Sequence, residues 1–193
     1  MIQVISGTNR PGSRSRVLSD LIANLYRTEG EACEVLDLCE LPWAELNGSY
    51  YDQPKPESLR SQIEKVNRAD GLVLVVAEYN GSFPGALKHF IDHWEYPKSF
   101  EFRPVSFVGL GGRFGGLRAV EHLQQVFGYR NAFIYPERLF IQNIWNVLKE
   151  DGLEDALVNE LLLKQVKGFA SFIRALRVEK LDCNSRQASP EKG

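Results

Sequence analysis

The sequence predicts a doubly wound α/β fold, in which a parallel sheet is covered by helices on both faces. Short apolar runs alternate along the chain with segments whose apolar residues recur at helical spacing. Residues 72–77 are apolar throughout, which is typical of a central parallel strand buried on both faces. The 193 residues are enough for one domain with a full core and too few for two ordinary ones. We therefore expect one domain over residues 1–180 and a polar C-terminal tail over residues 181–193.

Five strands and five helices are expected in alternation. The predicted strands cover residues 2–5, 34–38, 72–77, 105–110 and 131–135. The predicted helices cover residues 17–25, 57–68, 86–94, 117–127 and 153–177. Sheets of this kind bind ligands at the carboxyl ends of their strands, near the switch in strand order. The loops after the first, third and fourth strands are therefore the candidate site.

Composition and charge narrow the class of protein. Apolar residues make up 44% and charged residues 25%, as in an ordinary globular protein, and the net charge of −2 argues against a nucleic-acid partner. The three cysteines have no metal-finger spacing and indicate free thiols in a reducing compartment. The chain starts without the pattern of a signal peptide, and no apolar run approaches the length that spans a membrane. We expect a cytoplasmic protein without a membrane partner.

The first candidate loop, residues 6–16, is rich in Ser, Gly and Arg and leads directly into a helix. Hydroxyls, backbone N–H groups and a helix N-terminus are what a phosphate group needs, and Arg10 and Arg16 can add charge-assisted hydrogen bonds. The loop matches neither the P-loop nor the dinucleotide-binding glycine motif. We predict a phosphate site here, and the alternative is a solvated turn with a serine N-cap.

The other two loops suit a flat heteroaromatic ring. In residues 77–85, Tyr79 offers an apolar face, and the backbone from Asn80 to Ser82 offers N–H groups. In residues 111–116, repeated glycines let the backbone approach a ligand closely. The alternatives are a capped turn into a helix for the second loop and simple flexibility for the third.

The three histidines give weaker evidence for a functional site. His89 and His93 are four residues apart on a predicted helix, but no third metal ligand accompanies them, so we expect them to face solvent or an interface. His122 falls in an ordinary amphipathic helix. The Gly-x-Ser-x-Gly segment that would anchor a hydrolase triad is absent from the sequence.

Together, the three loops resemble those of the NAD(P)H-dependent FMN reductase family, which includes quinone, azo-dye and chromate reductases. The resemblance rests on Gly-Thr-Asn-Arg at 7–10 with Ser13, on Glu-Tyr-Asn-Gly-Ser-Phe-Pro-Gly-Ala-Leu-Lys at 78–88, and on Gly-Gly-Leu-Arg-Ala at 115–119. It covers residues 1–175 in order and spacing. The family usually has proline directly before Glu-Tyr-Asn, where this chain has Ala77.

The resemblance implies a flavodoxin-like sheet of five parallel strands in the order 2-1-3-4-5, with FMN bound tightly but noncovalently. The phosphate ligands it implies are Thr8, Arg10, Ser13 and Ser15, to which the residue type adds Arg16. The expected ring contacts are Glu78, Tyr79, Asn80, Gly81 and Ser82 from the second loop and Gly112, Gly115 and Gly116 from the third. We expect no catalytic side chain and no metal.

The resemblance also implies an enzyme that passes hydride from NADPH or NADH through FMN to a flavin, quinone or other small electron acceptor. The alternative is a flavodoxin-like electron carrier that binds FMN without using nicotinamide directly; such carriers usually have a more acidic surface. A phospho-acceptor receiver domain is disfavoured, because the first strand ends in Ser6-Gly7 and not in clustered acidic residues. We expect a homodimer or homotetramer, with the aromatic middle of the chain at the contact.

Overall fold

The computed structural model describes residues 1–51, 53–149 and 152–188, and its centre is a parallel sheet in the order β2-β1-β3-β4-β5. This is the predicted flavodoxin-like order. The strands are β1 (Ile2–Ser6), β2 (Cys33–Asp37), β3 (Gly71–Ala77), β4 (Pro104–Leu110), β5 (Phe133–Ile134), β6 (Leu139–Ile141), β7 (Leu148–Lys149) and β8 (Gly152–Leu153). The helices are α1 (Arg14–Thr28), α2 (Glu57–Arg68), α3 (Gly85–Ile91), α4 (Leu117–Tyr129), α5 (Ile144–Val147), α6 (Ala156–Val178) and α7 (Cys183–Ala188).

Two apolar cores lie on opposite faces of this sheet, which explains the unbroken apolar run of β3. Along a strand, successive side chains point to opposite faces. Leu72, Leu74 and Val76 therefore join the core beneath α2, α3 and α4, whereas Val73 and Val75 join the core beneath α1 and α6. The doubly wound architecture predicted from this run is confirmed.

The fifth sheet position differs from the single strand predicted over residues 131–135. Two short strands occupy it, with β5 pairing to the start of β4 and β6 pairing to its end. Pro136 lies between them and has no N–H group to donate to a neighbouring strand. The buried side chain of Gln165 bridges the gap, since its Nε2 donates to the carbonyl oxygens of Phe107 and Glu137, each at 2.9 Å.

The predicted helix 153–177 begins later than expected. The short helix α5 and the β7–β8 hairpin precede it, and α6 starts after Asp155, whose side chain accepts a hydrogen bond from the Val158 N–H at 3.1 Å. An N-cap of this kind satisfies one of the free N–H groups of the first turn. No helix within the described ranges is both long enough and apolar enough to cross a membrane.

The segment expected to be a polar C-terminal tail contains the short helix α7. Cys183 is buried and its N–H donates to the Phe102 carbonyl at 3.0 Å, and the Asn184 amide donates to Asp70 at 2.9 Å. These contacts hold α7 on the domain. Residues 189–193 of the predicted tail lie outside the described residues.

Candidate functional site

Backbone hydrogen bonds attach the first and second candidate loops to neighbouring strands at the carboxyl edge of the sheet. The Gly7 N–H donates to Val75 at 2.9 Å, which attaches the first loop to β3. The Glu78 N–H donates to Leu110 at 3.2 Å, which attaches the second loop to β4. The sheet ladder thus continues beyond the strands and fixes where each loop leaves the core.

The first loop ends in the N-terminus of α1. Ser13 is the N-cap, and its Oγ accepts a hydrogen bond from the Arg16 N–H at 3.2 Å. The next serine, Ser15, is buried, and its Oγ has no hydrogen-bond partner among the described residues. A buried hydroxyl without a hydrogen-bond partner destabilises the folded protein, unless a ligand or a water molecule forms a hydrogen bond with it. This loop therefore presents a free hydroxyl beside a helix N-terminus, where anions are favoured.

One cavity of about 220 Å³ joins the three loops. Six of the predicted site residues line it: Arg10, Ser13, Ser15, Glu78, Tyr79 and Gly112. The cavity therefore brings the predicted phosphate loop and the predicted ring loop to one place.

Thr8 is buried beside this cavity and does not line it. Its hydroxyl lies 3.0 Å from the Tyr79 hydroxyl, and it also accepts a hydrogen bond from the Arg10 N–H at 3.3 Å. Thr8 thus connects the first and second loops and orients both.

The arginines of the first loop have different surroundings. The Arg16 guanidinium donates to Asp20 at 2.9 Å and to Asp37 at 3.4 Å, and Arg16 does not line the cavity. Arg10 and Arg14 both line it, and neither pairs with a carboxylate in the described part of the chain. The positive charge available to an anion in the cavity therefore comes from Arg10 and Arg14.

The second loop is a tight turn closed by paired hydrogen bonds. The N–H groups of Tyr79 and Ser82 each donate to the other residue's carbonyl, at 2.8 and 3.1 Å. Asn80 and Gly81 adopt left-handed backbone angles, with φ of 52° and 78°, as a two-residue hairpin turn requires. The Ser82 N–H is therefore already satisfied, and Asn80, Gly81 and Ser82 do not line the cavity. Their contact with a flavin remains a prediction.

Glu78 has one engaged and one free carboxylate oxygen. Oε1 accepts a hydrogen bond from Arg118 at 2.8 Å, whereas Oε2 is buried and has no partner among the described residues. The Arg118 guanidinium also lies over the Phe114 ring, 4.2 Å from its centroid. The pair thereby attaches the second loop to the start of α4 and leaves one acceptor atom unsatisfied beside the cavity.

Gly115 and Gly116 pack against strands and do not line the cavity. Gly116 has φ of +83°, and a Cβ there would lie 2.6 Å from the backbone nitrogen of Leu110. A Cβ on Gly115 would lie 3.0 Å from the Phe140 backbone. Their role in the structure is close backbone packing against β4 and β6, and contact with a ligand's far edge remains a prediction.

The histidine pair ties α3 to the loop after β2. The ring nitrogens of His89 and His93 lie 2.6 Å from the Leu46 carbonyl and 3.3 Å from the Asn47 carbonyl. His93 is buried, so the expectation that this pair faces solvent or an interface is wrong for it. Within the described ranges, no group of three His, Cys, Asp or Glu side chains could hold a metal ion.

Sequence reasoning missed part of the cavity wall. The lining residues outside the three candidate loops are Leu110, Ile144 and Trp145. Within the loops, the cavity is also lined by Pro11, Gly12, Arg14, Ala77 and Gly111. Trp145 belongs to α5, in a segment where apolar periodicity predicted neither a strand nor a helix of its own. No sequence motif indicates this residue. Trp145 reaches the cavity only because the chain turns after β6.

The cavity fits a phosphate-bearing ring compound such as FMN. Arg10, Arg14 and the unpartnered Ser15 hydroxyl suit an anionic group at one end. Tyr79 offers an aromatic surface, and Gly112 adds no side chain of its own to the wall. The residues present therefore match the group that the loop motifs implied.

Comparison with known proteins agrees with this fit. Residues 1–146 match the family model described as NADPH-dependent FMN reductase. The chain is 30% identical over 179 residues to an NAD(P)H-dependent FMN reductase of Pseudomonas aeruginosa, covering 90% of this chain and 95% of that protein. It is 26% identical over 153 residues to an FMN-dependent NADPH-azoreductase of Staphylococcus aureus, covering 77% and 80%.

A solved structure also matches in fold. The flavoenzyme NAD(P)H:(acceptor) oxidoreductase FerB of Paracoccus denitrificans superposes with a TM-score of 0.73 at 22% identity, covering 90% of this chain and 97% of that chain. The strand order of this chain, β2-β1-β3-β4-β5, is the flavodoxin-like order expected from the sequence. Because the family model matches most of the chain, the chain belongs to the NADPH-dependent FMN reductase family.

Proposed function

We propose that this chain is an FMN-dependent oxidoreductase that takes hydride from NADPH or NADH and delivers it to a small acceptor such as a flavin, a quinone or an azo compound. One observation carries the proposal: a single cavity joins an anion-binding helix N-terminus to an aromatic loop of the family's distinctive sequence. The activities named for the Pseudomonas and Staphylococcus relatives support the same chemistry.

The residues of the chain would bind and orient the cofactor. Arg10, Ser15 and the first-turn N–H groups of α1 would hold the phosphate, and Tyr79 would contact the ring. When bound, FMN supplies a ring that accepts hydride from nicotinamide and gives it to an acceptor. The protein is then required mainly to position two stacked rings.

The Glu78 carboxylate would complete the ring contacts of the second loop. Its free Oε2 is an acceptor that the rest of the described chain leaves unsatisfied, which supports a hydrogen bond from a ligand N–H. Arg118 holds the other oxygen and keeps the carboxylate oriented.

The proposal includes self-association as a homodimer or homotetramer. A groove of about 550 Å³ between α3 and α4, here called the α3–α4 groove, is lined by Trp94, Tyr96, Phe100 and Tyr129 among others. Tyr129 is 80% exposed and Tyr96 is 55% exposed, and aromatic side chains are enriched where protein subunits meet. The buried Trp94 Nε1 has no partner among the described residues, which supports a polar group from a second copy there.

The proposal also includes a cytoplasmic location. All three cysteines are free thiols, which fits a reducing compartment.

The experiment that tests the function first is equilibrium dialysis of the purified protein against FMN and FAD. We expect one FMN per chain and preference for FMN over FAD, because a terminal phosphate matches the first loop. A protein that binds no FMN would rule out the proposed activity.

A further inference from the structure

We propose that Trp145 forms a wall of the flavin-ring site, so that it contributes to binding of the ring independently of the phosphate. The proposal rests on the proposed function, since the ligand it concerns is FMN. It adds a ring contact from a segment that none of the three recognised loops contains.

Backbone hydrogen bonds fix the position of Trp145. Asn143 adopts left-handed angles, with φ and ψ both 46°, which turns the chain sharply after β6. The N–H of Asn143 donates to Gly112 at 3.0 Å, and the N–H of Ile144 donates to Gly111 at 3.1 Å. The turn that carries Trp145 is therefore attached directly to the third loop.

The two neighbouring residues of α5 lie in opposite environments. Ile144 is buried and belongs to the core beneath α1 and α6, which anchors the helix. Trp145 belongs to neither core, and 51% of its surface is exposed. A large aromatic side chain held in place and half exposed is a common feature of ligand sites.

The indole lines the cavity beside Gly112. Its Cη2 lies 3.5 Å from the position that a Cβ on Gly112 would take, so the indole lies over the side of Gly112 where other residues carry a side chain. Tyr79 lines the same cavity from the second loop and is also partly exposed. Two aromatic side chains from separate loops thus border the space that the flavin ring would occupy.

The test uses two ligands that share a ring and differ in the phosphate. FMN and riboflavin are titrated into wild type, Trp145→Ala, Trp145→Phe and Arg10→Ala, and affinity and the visible absorption band of the bound flavin are measured. Trp145→Ala should weaken FMN and riboflavin by a similar factor of about ten, as stacking losses usually do, and should reduce the band shift. Trp145→Phe should retain most of the affinity.

Arg10→Ala should weaken FMN and leave riboflavin nearly unchanged, which separates a ring contact from a phosphate contact. Leu157→Ala, an exposed apolar residue at the start of α6, is the matched control and should change neither affinity. If Trp145→Ala lowers the melting temperature of the protein, Trp145→Leu replaces it in the titrations. Trp145→Leu should weaken FMN and riboflavin by the same factor.

The proposal is overturned if the Trp145 variants bind FMN within twofold of wild type with an unchanged absorption band. It is also overturned if they lose FMN but keep riboflavin, since Trp145 would then act through the phosphate. A wild-type protein that binds no FMN would instead contradict the proposed function itself.

Discussion

The hydroxyl oxygens of Thr8 and Tyr79 lie 3.0 Å apart, and this contact joins the loop after β1 to the loop after β3. The two residues are 71 positions apart in the chain, and each belongs to a loop that lines or supports the same cavity. The position of the first loop and the position of the second loop are therefore coupled.

Removing this contact should weaken FMN binding moderately. Tyr79→Phe keeps the aromatic ring and loses the hydroxyl, so we expect a loss of about 0.5–1.5 kcal/mol, the usual net value of a hydrogen bond. Thr8→Val should cost a similar amount, and the double variant should cost less than the sum. FMN titration calorimetry on the four proteins measures this, and strict additivity would contradict the coupling.

Arg10 and Arg16 should differ in their effect on FMN although both lie in the first loop. Arg10→Ala should weaken FMN by about 1.5–3 kcal/mol, as a hydrogen bond to a charged group would. Arg14→Ala should cost less. Arg16→Ala should barely change FMN affinity, because its guanidinium is bound to Asp20 and Asp37.

The measurement for these arginine variants is fluorescence titration with FMN at fixed ionic strength. Arg16→Ala is the matched control, since it removes the same charge from the same loop. Equal losses for Arg10→Ala and Arg16→Ala would show that general electrostatics, and not a specific phosphate contact, determine binding.

Local signals in the sequence predicted the doubly wound fold and the three loops, because buried parallel strands and polar strand-to-helix loops have distinctive patterns. The order of the strands came from the family resemblance. The run 72–77 lies between the two cores, and Ser13 caps α1, as the alternative interpretation of the first loop anticipated. The split of the fifth strand was missed because its bridging contact comes from Gln165, 58 residues from Phe107. Trp145 was missed for a similar reason, since backbone bonds to a distant loop position it.

Residue type alone also did not show which of the glycines and arginines in these loops line the cavity. Gly112 lines the cavity, whereas Gly115 and Gly116 pack against β4 and β6. Arg10 faces the cavity, whereas Arg16 pairs with carboxylates that only the fold brings near. These differences arise from contacts with residues that are distant in the sequence. The composition of a loop therefore cannot predict them.

Ionisable side chains should contribute little to flavin reduction. Glu78→Gln, His89→Ala and His122→Ala should each slow reduction by less than about tenfold, or roughly 1.4 kcal/mol of barrier. His89 bonds a backbone carbonyl and His122 bonds Ser82, so neither is positioned as an acid or base in the cavity. Tyr79→Ala and Gly115→Val should slow flavin reduction by a larger factor. The first alters the placement of the flavin ring, and the second disturbs the backbone packing beneath the loop.

The rate to compare is anaerobic flavin reduction in variants saturated with FMN. A drop of about a thousandfold in any of the three ionisable variants, with FMN still bound, would indicate general acid–base catalysis.

The α3–α4 groove should carry the contact between subunits. Light scattering of wild type at micromolar concentration should give a dimer or tetramer mass. Tyr129→Glu should shift it towards the monomer, because a carboxylate replaces an aromatic side chain that is 80% exposed in the single chain. Val178→Glu, at another exposed apolar site, is the control. A monomeric wild type would contradict self-association, and a multimeric Tyr129→Glu would place the contact elsewhere.

The central claim is that the chain is a nicotinamide-dependent reductase and not only an FMN carrier. Anaerobic stopped-flow mixing of the FMN-loaded protein with NADPH, and separately with NADH, tests it most directly. We predict that at least one of them bleaches the visible absorption of the bound flavin with no other protein present. If the flavin stays oxidised with both nucleotides and is reduced only after a partner reductase is added, the protein is an electron carrier and this account is wrong.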